Sequence, residues 1–194
     1  MTLPRLLLLT DRHQLPRGSD LVETVTSCAQ VGPAAVVLRE LDLAEGERRR
    51  LARSLLAAGV TLISARTQVE GAAGVHLAAS QPPPAGRPAP FHGRSCHDED
   101  EVLRAVGEGA SYLTISPVAA SASKPGYGPA LGVEGVRRAV AAADGVPVFA
   151  LGGIDAANAA AMRRAGAHGV AVMGAVMRAS DPAGVVARLL EAAR

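Results

Sequence analysis

The fold is decided by residues 147–174, PVFALGGIDAANAAAMRRAGAHGVAVMG, in which two apolar runs flank one helical segment. Both runs, Pro147–Leu151 and Val170–Met173, are continuously apolar, which is typical of strands covered on both faces of a parallel sheet. Between them, Asp155 is placed to cap a helix over Ala156–Ala165. The stretch therefore predicts a strand–helix–strand unit with parallel strands.

The same unit recurs along the whole chain. Apolar runs that predict strands occupy eight places: Leu6–Leu9, Ala35–Leu38, Val60–Ile63, Gly74–Leu77, Gly93–Cys96, Tyr112–Ile115, Pro147–Leu151 and Val170–Met173. Helices are predicted between most of them, at Leu21–Gln30, Leu43–Ala58, Asp98–Glu108, Val133–Ala143, Ala156–Ala165 and Asp181–Ala193. The segment after the third run is a poor helix, and the proline-rich residues 82–90 after the fourth exclude one.

Eight such units predict a fold of the α/β class, a compact (β/α)₈ TIM barrel in a single domain over residues 1–194. The helices after strands three and four are expected to be shortened or missing. An open, doubly wound sheet of about six strands is the alternative. It is weakened because no G-x-G-x-x-G motif follows the first strand.

The composition excludes several classes of protein. A net charge of +2 without a dense basic run argues against a nucleic-acid partner. No apolar run approaches the ~18 residues that span a bilayer, and the first residues lack the pattern of a signal peptide. We therefore expect a cytoplasmic protein with no membrane partner, in which Cys28 and Cys96 are buried thiols. The oligomeric state is left open.

In a barrel of this kind, ligands bind where the strands end. Gly152-Gly153 follows the seventh strand and Gly174 follows the eighth. Glycines let backbone N–H groups approach a ligand closely, and helix N-termini attract anions. The two turns therefore predict a phosphate site, although glycines that only make tight turns would give the same pattern.

Two basic residues are candidates for the same end of the barrel. Lys124, the only lysine in the chain, lies in a loop rich in Ser, Ala, Pro and Gly, where its ammonium could balance a phosphate or pyrophosphate. Arg39 directly follows the second strand. Its position is equally consistent with a role in ligand binding and with a structural ion pair. The run Arg48-Arg49-Arg50 is predicted to lie on a solvated helix face.

The histidines fall into three cases. Ser95 and His97 alternate at the end of the fifth strand, so both side chains can point the same way. His76 lies within the fourth strand and is either a packed core histidine or a site residue. His13, His92 and His168 belong to no constellation and are expected at the surface.

Motifs along nearly the whole chain resemble the thiamine phosphate synthase superfamily, which includes the TenI-type thiazole tautomerases. The most specific is residues 116–125, SPVAASASKP, which is similar to the family's Gly-Pro-x-x-x-Thr-x-Thr-Lys-Pro loop with Ser for each Thr. The others are Leu9-Thr10-Asp11, Val37-Leu38-Arg39-Glu40, Gly74-Val75-His76-Leu77, Ser95-Cys96-His97, residues 109–113, Ala150-Leu151-Gly152-Gly153-Ile154 and residues 166–173.

The resemblance implies a (β/α)₈ barrel whose synthases join a pyrimidine pyrophosphate to a thiazole phosphate, releasing pyrophosphate through a carbocation-like pyrimidine. Matched by position, it implies that Arg39, Ser95 and Lys124 face the pyrophosphate. The residues that would cradle the thiazole phosphate are Ser121, Ala122, Ser123, Gly153, Met173 and Gly174.

The chain departs from the family pattern at the metal site. Synthases carry an Asn-Asp pair where this chain has Ser64-Ala65, and a second Asp near the position of Gln81. Those two Asp hold Mg²⁺, and losing the metal forfeits several kcal/mol of charge stabilisation. We therefore assign no metal ligand, and expect Mg²⁺ only if a synthase recruits other carboxylates such as Glu40 or Glu70.

Three functions remain open. The first is a TenI-like protein of thiamine biosynthesis that binds thiazole phosphate and isomerises it without metal, using His97 or His76 as the proton shuttle. Pro117 stands where the tautomerases carry a histidine. The first alternative is an active synthase that uses the pyrimidine pyrophosphate as second substrate. The second is a catalytically inactive, ligand-binding or regulatory barrel.

Overall fold

The computed structural model describes residues 3–85, 91–123, 126 and 128–194, and its strands form a closed parallel barrel. Each strand pairs with the next along the chain, and the eighth pairs with the first. The strands are β1 Leu6–Leu9, β2 Ala35–Leu38, β3 Leu62–Ala65, β4 Val75–Leu77, β5 His92–Cys96, β6 Tyr112–Ile115, β7 Val148–Leu151 and β8 Gly169–Val172. This confirms the predicted TIM barrel.

The helices cover the outside of the barrel: α1 Leu21–Val31, α2 Glu45–Ala57, α3 Glu99–Gly107, α4 Gly132–Ala142, α5 Ala159–Arg164, α6 Gly174–Met177 and α7 Pro182–Ala192. No helix follows β3 or β4 within residues 66–74 and 78–85, in agreement with the prediction for these two units. None of the helices in the described ranges is long and apolar enough to cross a membrane.

Alternate residues of each strand pack into two different cores. Leu7, Leu9, Val37, Ile63 and Phe149 fill the inside of the barrel. Their neighbours Leu6, Leu8, Val36, Leu38 and Leu62 face the helices. Most strands are therefore apolar on both faces, which explains their continuous apolar runs in the sequence. The exception is β5, His92–Cys96, which buries His92 and Arg94.

The third strand lies two residues later than predicted, at Leu62–Ala65 instead of Val60–Ile63. Val60 is buried but belongs to the end of α2, because its N–H donates to the carbonyl of Leu55 at 3.1 Å. Gly59 makes this helix end possible with a φ of 78°. As a consequence, Arg66 is the first residue beyond the strand.

Two residues predicted at the surface are buried. Arg48 is only 6% exposed, because it stands in the first turn of α2 and its guanidinium lies under the strand ends, where Nη2 donates to backbone carbonyls. His92 is fully buried within β5, and its backbone N–H donates to Ser111 Oγ at 3.2 Å. Both burials depend on tertiary contacts, which the local sequence around Arg48 and His92 does not indicate.

Candidate active site

One cavity of about 670 Å³ opens at the carboxyl ends of the strands. Its wall takes residues from every strand or from the position directly after it, from Leu9 of β1 around to Val172 of β8. This volume suits small-molecule ligands. The cavity therefore lies where barrels of this class bind their ligands.

The structure brings nearly all of the predicted site residues to this cavity. Its wall includes Arg39, Ser95, His97, Ser121, Ala122, Ser123, Gly152, Gly153, Met173 and Gly174. Lys124 lies outside the described residues. His76, for which the sequence left two roles open, is both buried and part of the wall.

The turn after β7 is packed directly against the loop after β6. Gly152 and Gly153 have φ of 95° and 65°, a region that other residues rarely adopt. The N–H of Ala119 donates to the carbonyl of Gly152 at 2.9 Å. A Cβ at Gly153 would lie only 2.5 Å from the carbonyl oxygen of Ala120. The two glycines therefore let the turn after β7 and the loop after β6 meet at one corner of the cavity.

A polar cluster completes this corner. Ser123 Oγ donates to Gln14 Oε1 at 3.0 Å, and Arg178 Nη1 donates to Ser123 Oγ at 2.8 Å. Arg178 also contacts Gln14 Oε1. Gln14 is held from behind, because its Nε2 donates to Asp11 Oδ2 at 2.7 Å. Sequence reasoning missed Gln14 and Arg178, although Arg178 follows Gly174 by four residues, one helical turn.

Two further arginines line the cavity, Arg39 after β2 and Arg66 after β3. Arg39 is half-buried, and its guanidinium contacts Met173 Sδ, a weak acceptor. Arg66 has a φ of 67°, and its N–H donates to the carbonyl of His76 at 2.8 Å. Within the described parts of the chain, neither guanidinium has a carboxylate partner. Both arginines thus present positive charge to the cavity.

The floor of the cavity contains a buried histidine between two hydroxyl groups. His76 Nδ1 lies 2.9 Å from Tyr112 Oη, and Nε2 lies 2.9 Å from Ser95 Oγ. Burial lowers the pKa of His76 to about 4, with further contributions from Arg94 and Arg39. Burial also raises the pKa of Tyr112. His76 is therefore neutral and Tyr112 protonated at neutral pH.

His97 lies at the rim with a carboxylate partner. Its Nδ1 and its backbone N–H both donate to Glu101 Oε2 at 2.8 Å. Glu101 stands in the first turn of α3, directly after the strand that carries His97. An imidazole held by a carboxylate at the edge of a cavity suits proton transfer.

The residues of the cavity do not fit Mg²⁺. Ala65 and Ala78 occupy the wall where β3 and β4 end. Among the described residues of the wall, Asp155 is the only carboxylate, and its Oδ1 already accepts from the N–H groups of Ala157 and Asn158. Across the described ranges, no three His, Cys, Asp or Glu residues are grouped to hold a metal. Mg²⁺ prefers carboxylate oxygens, so this wall offers it no adequate ligand set.

Glu40 and Glu70 do not supply the missing carboxylates. Glu40 is buried, and its Oε2 accepts from Arg12 Nη1 at 3.0 Å. Glu70 is exposed and lies outside the cavity wall. The expectation that a synthase could recruit these two residues for a metal is therefore wrong.

The fold and cavity define a (β/α)₈ barrel with an anion-attracting site at the carboxyl ends of its strands. The chain belongs to the thiamine monophosphate synthase family, whose model TMP-TENI matches residues 6–176. This confirms the resemblance seen in the sequence motifs.

Individual relatives cover almost the whole chain. It is 38% identical to a thiamine-phosphate synthase of Salinispora tropica over 98% of each chain. It is 34% identical to that of Moorella thermoacetica over 92% of this chain and 90% of the relative. A solved thiamine phosphate pyrophosphorylase from Pyrococcus furiosus superposes with a TM-score of 0.78 at 25% identity, covering 97% and 95% of the two chains.

Proposed function

We propose that the chain is a transferase of thiamine biosynthesis that joins hydroxymethylpyrimidine pyrophosphate to thiazole phosphate and releases pyrophosphate. The near full-length relatives named thiamine-phosphate synthase support this activity over the TenI-like isomerase. The observation that carries the proposal is a single cavity with anion-attracting groups on two opposite sides.

The barrel order separates the two sides. Arg66 follows β3 and Gly153 follows β7, and these strands are four positions apart in the ring of eight. They consequently lie across the barrel axis from each other. The β7–β8 side offers the glycine turns, Ser123 and Arg178, whereas Arg66 lies opposite at the end of β3. Arg39 reaches from β2 toward β8, where its guanidinium contacts Met173.

Two anion-attracting sides of the cavity match a reaction that has two anionic substrates. A condensing enzyme has to hold a phosphate and a pyrophosphate at the same time, whereas an isomerase of thiazole phosphate holds one phosphate. The phosphate is assigned to the glycine corner and the pyrophosphate to the side of Arg39 and Arg66. This arrangement leaves the uncharged rings facing each other in the middle of the cavity.

In the reaction, the thiazole nitrogen forms a bond to the exocyclic carbon of the pyrimidine. The bond from that carbon to the pyrophosphate oxygen breaks, and its electron pair leaves with the pyrophosphate. Arg39 and Arg66 stabilise the negative charge that develops on the leaving group, and the phosphate corner holds the nucleophile in line. We route no step through Mg²⁺, because the wall lacks its ligands.

A turnover assay tests the proposal. Purified protein is incubated with both substrates, and thiamine phosphate and pyrophosphate are measured over time. Equal amounts of the two products are expected. Arg66→Ala should lower the rate on the order of tenfold or more, as expected for a charged contact to the leaving group. Arg49→Ala is the matched control, since Arg49 is an exposed helix arginine whose ion-pair partner among the described residues is Glu45. Binding of both substrates without any product would overturn the proposal in favour of an inactive binding barrel.

An isomerase of phosphorylated thiazole is the second candidate. It is favoured by the His97–Glu101 pair at the rim and by the alanines at the ends of β3 and β4. The same protein is incubated with the carboxylated thiazole tautomer alone, without metal. Conversion of this tautomer without formation of thiamine phosphate would select the isomerase.

A further inference from the structure

Tyr112, His76 and Ser95 form one continuous chain of hydrogen bonds on three neighbouring strands. His76 of β4, Gly93 of β5 and Tyr112 of β6 are register partners, so they lie at one level of the barrel. Ser95 stands two residues above Gly93 on the same inward face of β5. The chain therefore climbs from the buried floor to the cavity wall.

Gly93 makes this chain geometrically possible. A Cβ at this position would overlap the ring of Tyr112, which crosses β5 to reach His76. Phe91 and Phe149 hold the same ring from two sides, with centroids 5.8 Å away in each case. Tyr112 is fully buried and thus has one fixed position for its hydroxyl group.

The partners determine the direction of the hydrogen bonds. Within the described residues, His76 Nδ1 is the only acceptor near the Tyr112 hydroxyl, so Tyr112 O–H donates to it. A neutral imidazole then carries its proton on Nε2, which donates to Ser95 Oγ. The Ser95 O–H has no other acceptor in the described ranges and lines the cavity. Its hydrogen is therefore directed at a ligand.

We propose that His76 and Tyr112 are positioning residues that hold Ser95 as a hydrogen-bond donor to an anionic oxygen of the bound substrate. The proposal rests on the proposed function only for the identity of that anion. Consecutive hydrogen bonds in such a chain polarise one another. The fixed order from Tyr112 through His76 therefore strengthens the Ser95 O–H as a donor. Ser95 touches the ligand, whereas His76 and Tyr112 act through Ser95.

The tautomer of His76 is the first test, and it needs neither substrate nor turnover. Nitrogen-15 spectra of the imidazole rings are recorded on the full chain at neutral pH, with His76→Gln used to assign the signals. A proton on Nε2 and an unprotonated Nδ1 are expected. A proton on Nδ1 would overturn the proposal, because Ser95 would then have to donate back to His76.

A double-mutant cycle tests the coupling, with inorganic pyrophosphate as the ligand and calorimetry as the measurement. Ser95→Ala and His76→Asn should each weaken binding on the order of tenfold, and the double variant no further than the stronger single variant. His76→Gln keeps an amide donor for Ser95 and should restore most of the affinity. Additive losses, or equal losses for Asn and Gln, would assign His76 a merely structural role.

The two hypotheses fail in different ways. If the tautomer and the coupling are as expected but no thiamine phosphate is formed, the synthase proposal alone is overturned. If thiamine phosphate is formed while His76 and Ser95 act additively, the positioning role alone is overturned. Thermal unfolding of each variant separates loss of binding from loss of folding.

Discussion

Arg48 Nη2 donates to the carbonyl oxygen of Ala65 at 2.7 Å, one residue before Arg66 enters the cavity. The same nitrogen donates to the carbonyl of Leu38 at 2.9 Å, directly before Arg39. One buried guanidinium thus fixes the ends of β2 and β3, from which both cavity arginines depart. Burial lowers the pKa of Arg48, which Glu40 partly opposes.

Replacing Arg48 is expected to affect both the fold and the site. Arg48→Met removes the guanidinium donor from the carbonyls of Leu38 and Ala65, of which Ala65 keeps the N–H of Thr67. We therefore expect a loss of about 1–3 kcal/mol in the free energy of unfolding. Pyrophosphate affinity should fall as well, because Arg39 and Arg66 lose their common support. Chemical denaturation and calorimetry measure the two effects. The neighbouring exposed Arg49→Met is the control and should change neither, and a wild-type affinity in folded Arg48→Met would contradict this role.

Gly153 can be tested against a glycine with the same backbone but open surroundings. Gly153→Ala places a methyl group against Ala120 at a φ of 65°, so it should destabilise the fold by about 2–4 kcal/mol and displace the loop after β6. Phosphate binding should then be lost. Gly145 has a φ of 86° but no atom within 4 Å of an added Cβ.

Gly145→Ala therefore measures the backbone strain alone, about 1 kcal/mol. Unfolding curves and phosphate titrations of both variants provide the comparison. If the two variants lose equal stability and both still bind phosphate, the close packing of Gly153 against Ala120 is not required for folding or for phosphate binding.

The buried His76 predicts a loss of stability in mild acid. Its folded pKa of about 4 lies below the ordinary value of 6.5, so the folded state favours the neutral ring. This stabilisation is complete above pH 6.5 and is lost as the pH falls from 6.5 toward 4. The 2.5-unit difference corresponds to about 3 kcal/mol.

The measurement is the free energy of unfolding of wild type and His76→Gln between about pH 7.5 and pH 4, roughly the range over which His76 titrates in the two states. The charged neighbours Arg94 and Arg39 oppose protonation in the folded state. Tyr112 and Ser95, which flank the ring, stay neutral over this range. The difference between the two proteins should shrink as the pH falls, and a constant difference would disprove the titration of His76.

Turnover should depend only weakly on Mg²⁺. A synthase that loses an essential metal forfeits several kcal/mol, on the order of a hundredfold or more in rate. Because Ala65 and Ala78 stand where β3 and β4 end, we expect a chelator to slow this chain by less than about tenfold. The check is the rate of thiamine phosphate formation with EDTA and with added Mg²⁺. A larger loss on chelation would show that a metal binds through groups other than those of the described wall.

The barrel could be predicted from the sequence because most strands are covered on both faces and read as apolar runs, β5 with its buried His92 and Arg94 being the exception. Leu6–Leu9, Ala35–Leu38 and Tyr112–Ile115 lie where the pattern predicts them. β3 was misplaced because the apolar Val60 serves the end of a helix rather than a strand. Local hydrophobicity does not distinguish these two roles.

The site was predicted where it depends on residues at strand ends, and missed where it depends on contacts between distant segments. Arg66 was given no role, because the predicted end of β3 at Ile63 placed it three residues beyond the strand instead of directly after it. Gln14 and Arg178 meet Ser123 from opposite ends of the chain. Tyr112 reads as a core aromatic, and only the register with Gly93 shows that its hydroxyl reaches His76.

The pairing of β1 with β8 ties completion of the site to synthesis of the eighth strand. Leu6–Leu8 take their second set of partners from residues 170–172, so the first strand has an open edge until the last strand has been made. The phosphate corner also needs the turns after the seventh and eighth strands, whereas Arg39 and Arg66 follow the second and third. A growing polypeptide on the ribosome can thus carry the cations early, but it has no cavity to place them in before the ring closes.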